Sequence, residues 1–283
     1  TCNFDQALTY LDKVLAIRTQ LFGEQHPDTV SVYYNIGMCQ ERKGAINEAL
    51  ACQQKVLDMR LQTFGKMNRC TADSYLLISN IYKIKGDFNF TIEYAQKALH
   101  IYLKIVGENH PNTAEAYDKL GSCYNAIGNN LLALSYHQKA LAIRLSISGE
   151  IHSSVATSYN NISIVYASLK DTLNQIAYQQ KSLDIRLEIF GETHLLIAIN
   201  YNNLGTCYGN QGNYPLAIAY YQKALPILLQ TTGKYSTTTA QLYSNLANHL
   251  GKSANYEQAF RHYQLALQSV CPKFNDTHFN QTS

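Results

Sequence analysis

The sequence predicts an all-α solenoid of stacked antiparallel helix pairs. Three observations predict it. Glycines recur at Gly23, Gly65, Gly107, Gly149, Gly191 and Gly233, each 42 residues after the last and without drift. A second series, Gly44, Gly86, Gly128 and Gly212, halves the intervals, with Lys170 and Ala254 in the remaining places. Between these marks the apolar residues follow a helical period and never alternate as a strand would. A fixed period of this size means that one small unit was copied and stacked. Stacked units present long surfaces, and such surfaces serve to bind other proteins.

The fifth unit shows how each half folds. Its first half carries Tyr201, Leu204, Gly205 and Tyr208, a stripe at i, i+3, i+4 and i+7. Its second half continues the pattern with Ala217, Tyr220, Tyr221, Ala224, Leu225 and Leu228. Second helices are expected to begin after Asp87, Asn129, Asp171, Asn213 and Asn255, all good N-cap residues. The 42-spaced glycines suit a left-handed position just past a helix end. Pro27 and Pro111 open first helices, where proline is tolerated. Small residues at Gly37, Gly121, Gly205, Ala133, Ala140 and Ala224 face large tyrosines, as interlocked helices require. Pro226 falls inside a second helix and is expected to bend it.

The ruler divides the chain as follows. Residues 3–23 are a second helix without its partner. Six helix pairs follow at 26–65, 68–107, 110–149, 152–191, 194–233 and 236–270. Residues 271–283 are polar and aperiodic and are expected to be disordered. The unpaired first helix leaves an apolar face open, which suggests a piece of a longer protein and offers a surface for self-association.

Composition narrows the function. Hydrophobic residues make up 46% of the 283 residues, enough for a continuous core, and the net charge is only +3. That charge is too weak to favour nucleic acid or an anionic membrane as partner. No apolar run is long enough to span a bilayer. Seven cysteines, an odd number without CxxC spacing, read as small core residues in a reducing, cytoplasmic compartment. The glycosylation-like tripeptides at Asn89 and Asn161 fall inside expected helices and are read as chance.

The slots shared by Tyr201, Leu204, Gly205, Tyr208, Gly212, Tyr214, Ala217, Tyr221 and Ala224 resemble the tetratricopeptide repeat. The 42-residue length and the Gly-x-x-His-Pro turns at Gly23–Pro27 and Gly107–Pro111 make the chain similar to the kinesin light chain and nephrocystin type of repeat. The resemblance covers residue 3 to about residue 270. It implies a right-handed superhelix with a concave groove and a non-catalytic role in protein binding, as in kinesin light chain-type cargo adaptors. Alternatively, the array is the recognition or self-association region of a larger enzyme or sensor.

Four groups of residues are candidates for chemistry. The first is the in-phase series Asn35, Asn161, Asn203 and Asn245, flanked by Asn160 and Asn202. At about 100° per residue, Asn203 points away from the buried stripe of its helix. In the implied fold that face lines the groove, where an amide can donate to and accept from a peptide backbone. The bland alternative is that these amides only bridge neighbouring repeats. Leu77 and Lys119 interrupt the series, and the slots beside it lack the paired Lys and Arg that would clamp a carboxylate. The second group is Lys13, Lys55, Lys97, Lys139, Lys181 and Lys223, accompanied by Arg18, Arg60, Arg144 and Arg186, read as a solvated outer face. The third is the Gly-Glu-x-His turn at His26, His110, His152 and His194. One histidine per repeat cannot converge on a metal ion, so these are read as structural. The fourth, Gly251-Lys252-Ser253, has Leu246 where a phosphate-binding loop needs glycine and no strand before it. No catalytic residue, cofactor site or metal site is expected. The expected partner is a protein or peptide.

Overall fold

A computed structural model of the protein describes residues 3–271. Among the described residues are thirteen α-helices and no strand. They are α1 (Phe4–Phe22), α2 (Pro27–Lys43), α3 (Ile46–Phe64), α4 (Arg69–Lys85), α5 (Phe88–Ile105), α6 (Pro111–Ala126), α7 (Asn130–Ser148), α8 (Ser153–Ser168), α9 (Thr172–Phe190), α10 (Leu195–Asn210), α11 (Tyr214–Thr231), α12 (Thr237–Lys252) and α13 (Tyr256–Val270). The chain divides into two compact units, with the boundary after Ile147. In each unit, helices consecutive in sequence pack on one another, giving an all-α repeat solenoid. Of the tail read as disordered, all but Cys271 lies outside the described residues.

The punctuation of the sequence is what starts and stops these helices. His26, His110, His152 and His194 are N-caps of first helices. The Nδ1 of each accepts the backbone N–H two residues on, at 3.1–3.2 Å. That satisfies one of the donors a helix start leaves open, so the turn histidine is structural, as the sequence implied. Second helices use carboxylates or amides for the same task. Asp87, Asp171, Asn213 and Asn255 accept from the N–H three residues ahead. Thr29, Thr71, Thr113 and Thr239 are fully buried, and each donates its hydroxyl to the carbonyl of the glycine six residues earlier.

The two glycine series differ in conformation. Gly44 has φ 89° and ψ 5°, a left-handed cap. Gly65 has φ 77° and ψ −178°, an extended conformation at positive φ that side-chain-bearing residues do not adopt. The 42-residue ruler is thus held by a turn more restrictive than the left-handed cap expected of it. Lys170 and Ala254, which stand where the second series would place glycine, keep φ at 60°. The repeat geometry is retained there at the cost of backbone strain.

Between helices, small faces large. A methyl group at Gly205 would lie 2.6 Å from the Tyr221 ring, and one at Gly121 would lie 2.8 Å from the His137 ring. Where the slot holds serine, the hydroxyl bonds across instead: Ser79 to the Thr91 carbonyl and Ser163 to the Gln175 carbonyl, both at 2.8 Å. In the second unit, Leu204, Ala217, Tyr221, Leu228, Leu242 and Leu246 form one core. Helix α11 runs through Pro226 as a single element. Pro226 and Gln222, whose carbonyl loses its usual donor, are both exposed, so water can take the donor's place. On α1, Tyr10, Val14, Ile17, Leu21 and Phe22 are exposed, so one face of this helix is apolar and uncovered.

Candidate functional site

In the second unit the first helices α8, α10 and α12 carry the asparagines, and α10 touches α12 directly. The amides pair from one repeat to the next. Asn203 Nδ2 donates to Asn160 Oδ1 at 3.2 Å, and Asn245 Nδ2 donates to Asn202 Oδ1 at 2.9 Å. Asn245 Oδ1 also accepts from Gln241 at 3.1 Å. All four asparagines are half-buried. An amide has two donor hydrogens and an acceptor oxygen, so each single bond orients its pair while leaving Asn203 Oδ1 and the Asn160 and Asn202 amino groups with hydrogen-bonding capacity. Asn161 is half-buried on α8 beside Asn160, and its amide bonds no other described side chain. Asn35 lies on α2 of the first unit and is exposed. The structure therefore brings Asn160, Asn202, Asn203 and Asn245 together through their own hydrogen bonds, and leaves Asn35 and Asn161 outside that network.

The same slots differ in the first unit. Leu76 and Leu77 on α4 stand where Asn202 and Asn203 stand on α10. They line a cavity of about 350 Å³ together with Tyr34, Arg60, Tyr102 and Lys119. The Tyr102 hydroxyl donates to Asp73. Burial, reinforced by that carboxylate, pushes the Tyr102 phenol above its ordinary range.

Two groups escaped the sequence reading. The first is a buried polar cluster on α6 and α7. His137 Nδ1 lies 2.7 Å from Asp118 Oδ1, and Arg144 pairs with the other carboxylate oxygen. A carboxylate only accepts, so Nδ1 carries the proton in this contact. The second is a polar stripe on α9: Gln179, Ser182 and Arg186 are 1%, 0% and 5% exposed. Arg186 donates through one terminal nitrogen to Asn200 Oδ1, and Asn200 donates to the Gln179 carbonyl at 3.4 Å. Desolvation holds the Arg186 guanidinium below its usual pKa.

Arg186 therefore does not lie on the solvated outer face expected of it. Arg186 is five residues beyond Lys181, and five helical steps turn the side chain by about 140°. The lysines do stay outside, but each lies over rings. Lys223 Nζ is 5.7 Å and 5.5 Å from the Tyr201 and Tyr220 centroids, and Lys97, Lys139 and Lys181 repeat the arrangement. This is cation–π packing within the repeat, and it commits much of the cationic face to the protein itself.

Among the described residues, no group of three or more His, Cys, Asp and Glu side chains could hold a metal ion, and no helix is long and apolar enough to cross a membrane. Cys39, Cys52, Cys70, Cys123, Cys207 and Cys271 are free thiols. Burial pushes the Cys207 thiol up to about 12.

Paired helices of fixed length, capped alike and locked by small-against-large contacts, define a helical-repeat protein. The sequence profile of the tetratricopeptide repeat matches residues 1–62, 70–146 and 154–230, and the chain belongs to that family. Solved structures share the fold at low identity. BtubC (BKLC) from P. vanneervenii is 19% identical, with a TM-score of 0.69 over 82% of this chain and 94% of that one. A putative kinesin light chain repeat protein from P. anserina is 16% identical, with a TM-score of 0.61 over 73% of this chain and 98% of that one. A Rap protein complexed with competence and sporulation factor is 15% identical, with a TM-score of 0.67 over 92% of this chain and 78% of that one. No curated protein sequence gives a significant match.

Proposed function

We propose that the chain is a non-catalytic scaffold that binds an extended peptide or partner helix along its first-helix face, in the manner of kinesin light chain-type cargo adaptors. The observation that carries this reading is the set of paired amides on α8, α10 and α12. Amides locked in place lose little rotamer entropy when a peptide arrives. Their remaining donors and acceptors match a peptide backbone, and Asn161 would extend the same row, while Asn35 would offer the same amide on the first unit. The Rap neighbour, which is complexed with competence and sporulation factor, is in keeping with such a role. Six free thiols fit a reducing, cytoplasmic setting. The test is isothermal titration of a bound peptide against Asn203→Ala and Asn245→Ala. Each should weaken binding about fivefold, since a neutral hydrogen bond contributes about 1 kcal/mol; unchanged affinity in both refutes the amide row.

A second reading takes the array as the recognition or self-association region of a larger enzyme or sensor. The exposed apolar face of α1, with Tyr10, Val14, Ile17 and Leu21, favours it. Sedimentation of wild type and Val14→Glu decides: a dimer that the charge dissolves supports self-association, and a monomeric wild type removes it.

A further inference from the structure

Helices α1 and α13 each expose a continuous apolar stripe. On α13 it is Tyr256, Phe260, Tyr263, Leu267 and Val270; on α1 it is Tyr10, Val14, Ile17 and Leu21. Steps of four and three residues keep each set on one helix face. No other helix among the described residues exposes more than three large apolar side chains. The repeat shows what such a stripe is for. Each residue of the α13 stripe stands 42 after a residue of α11: Tyr214, Ile218, Tyr221, Leu225 and Leu228. There the next first helix, α12, covers the face. Tyr221 and Leu228 are fully buried and belong to one core with Leu242 and Leu246 of α12. His249 of α12 completes the cover, 5.3 Å and 6.0 Å from the Tyr221 and Tyr214 ring centroids. The α13 stripe is the same seat without its helix. Among the described residues no helix follows α13 and none precedes α1.

We infer that the α13 stripe of one copy of this chain seats the α1 stripe of a second copy, in a head-to-tail contact. The inference rests on the self-association reading, and it adds which face of the second copy α1 meets. Spacing, charge and area choose this occupant. The α12 residues that cover α11, namely Leu242, Leu246 and His249, stand four and three apart. Tyr10, Val14 and Ile17 repeat that spacing, and with Leu21 the steps read four, three, four in either direction along α1. Neither stripe contains a charge, so closing the contact strands none. Beside the α13 stripe, Glu257 and Arg261 already pair with each other at 2.6 Å. Aromatic side chains bury about 150–250 Å² each, so the two stripes together offer on the order of 1,000 Å² of apolar surface, the size at which specific association begins. The two faces differ, so the contact is heterologous: a pair of copies keeps one α1 and one α13 free, and further copies can add.

Analytical ultracentrifugation of the 283-residue chain, at about 10 µM and about 100 µM, tests the contact. Wild type should grow in mass as concentration rises. Val14→Glu and Phe260→Glu each put a charge into one stripe and leave the other intact. Each alone should stay a monomer, its association weakened by about tenfold or more, because the contact would bury an unpaired charge. Both positions are exposed, so circular dichroism should show unchanged helix content in the two variants. Mixed in equal amounts, the variants should form a dimer and nothing larger, since each supplies the stripe that the other has lost. A mixture that stays monomeric while wild type associates overturns the inference. The two readings separate by their failures. If Phe260→Glu dimerises as well as wild type while Val14→Glu does not, α1 meets another α1. That outcome sinks the head-to-tail seat and keeps self-association. A monomeric wild type sinks both, and a lower melting temperature of Phe260→Glu would then show that the seat is filled within one chain.

Discussion

The two units carry the same backbone positions and fill them with opposite chemistry. On α4 the two slots hold the apolar Leu76 and Leu77; on α10 they hold the hydrogen-bonding Asn202 and Asn203. On α6 and α7, a buried acid neutralises its own arginine; on α9 and α10, the arginine is met by the amide of Asn200 instead. The helices are not what distinguishes them, because caps, turns and small-against-large contacts recur in both. A repeat protein can therefore hold its fold constant and vary function slot by slot. What matters in each slot is whether the chain satisfies its own polar groups or leaves them for a partner.

The largest way to break this contrast is to remove the acid that the first unit keeps. Asp118→Ala should destabilise by about 3–5 kcal/mol, because it removes the counter-ion of Arg144 and leaves a buried His137 ring N–H without its acceptor. Urea denaturation followed by circular dichroism measures it, and a loss under 1 kcal/mol would mean that the cluster is not what holds α6 on α7. Asn160→Ala, at the equivalent place in the second unit, should cost far less, since no charge depends on it.

Next in size is the packing slot that both units share. Gly205→Ala drives a methyl into the Tyr221 ring, and Gly121→Ala drives one into His137. Each should cost about 1–3 kcal/mol by overpacking, read as a drop in the denaturation midpoint. If the tyrosine yields more easily than the hydrogen-bonded histidine, the Gly205 variant will be the milder.

A pH titration sharpens the contrast through Cys207. Burial pushes its folded thiol up to about 12, above the ordinary 9.0. A raised folded pKa means that its stabilising contribution is complete below about pH 9 and is lost as pH rises through about 12. In the folded protein at pH 8, alkylation should therefore reach exposed Cys271 well before Cys207. Equal labelling rates would show that the α10 core opens freely.

The smallest effect is expected at the lysines over tyrosines. Lys223→Met should change stability by about 0.5–1 kcal/mol at most, as befits an exposed cation–π contact. A larger loss would give the outer face a structural weight that the geometry does not suggest.

Much of the fold was legible because the repeat exposes its own rules. The position of His26 in Gly-Glu-x-His, of Asn213 before α11 and of Gly205 opposite Tyr221 could all be read from spacing, since caps and close contacts are local. The asparagine row was legible as an in-phase slot on a non-core face. That these amides bridge neighbouring repeats was the alternative the sequence offered; the partner of each was not legible, because the bond joins Asn203 to Asn160, one position off the 42-residue phase. Arg186 was grouped with the neighbouring lysines, as both recur with the same period. Period alone carries no direction, and only the 140° between the two positions separates a solvated cation from a buried one. Asp118 could have been found by asking which slot holds an acid in a single repeat.

Lys170 and Ala254 hold φ at 60° in positions where other repeats have glycine. Replacing either with glycine would relax the turn, so these two corners are the places where the array has room to become more stable than it is. The chain thus carries slack in its turns as well as in its grooves, and an engineer lengthening the array would do well to copy the glycine corner rather than these.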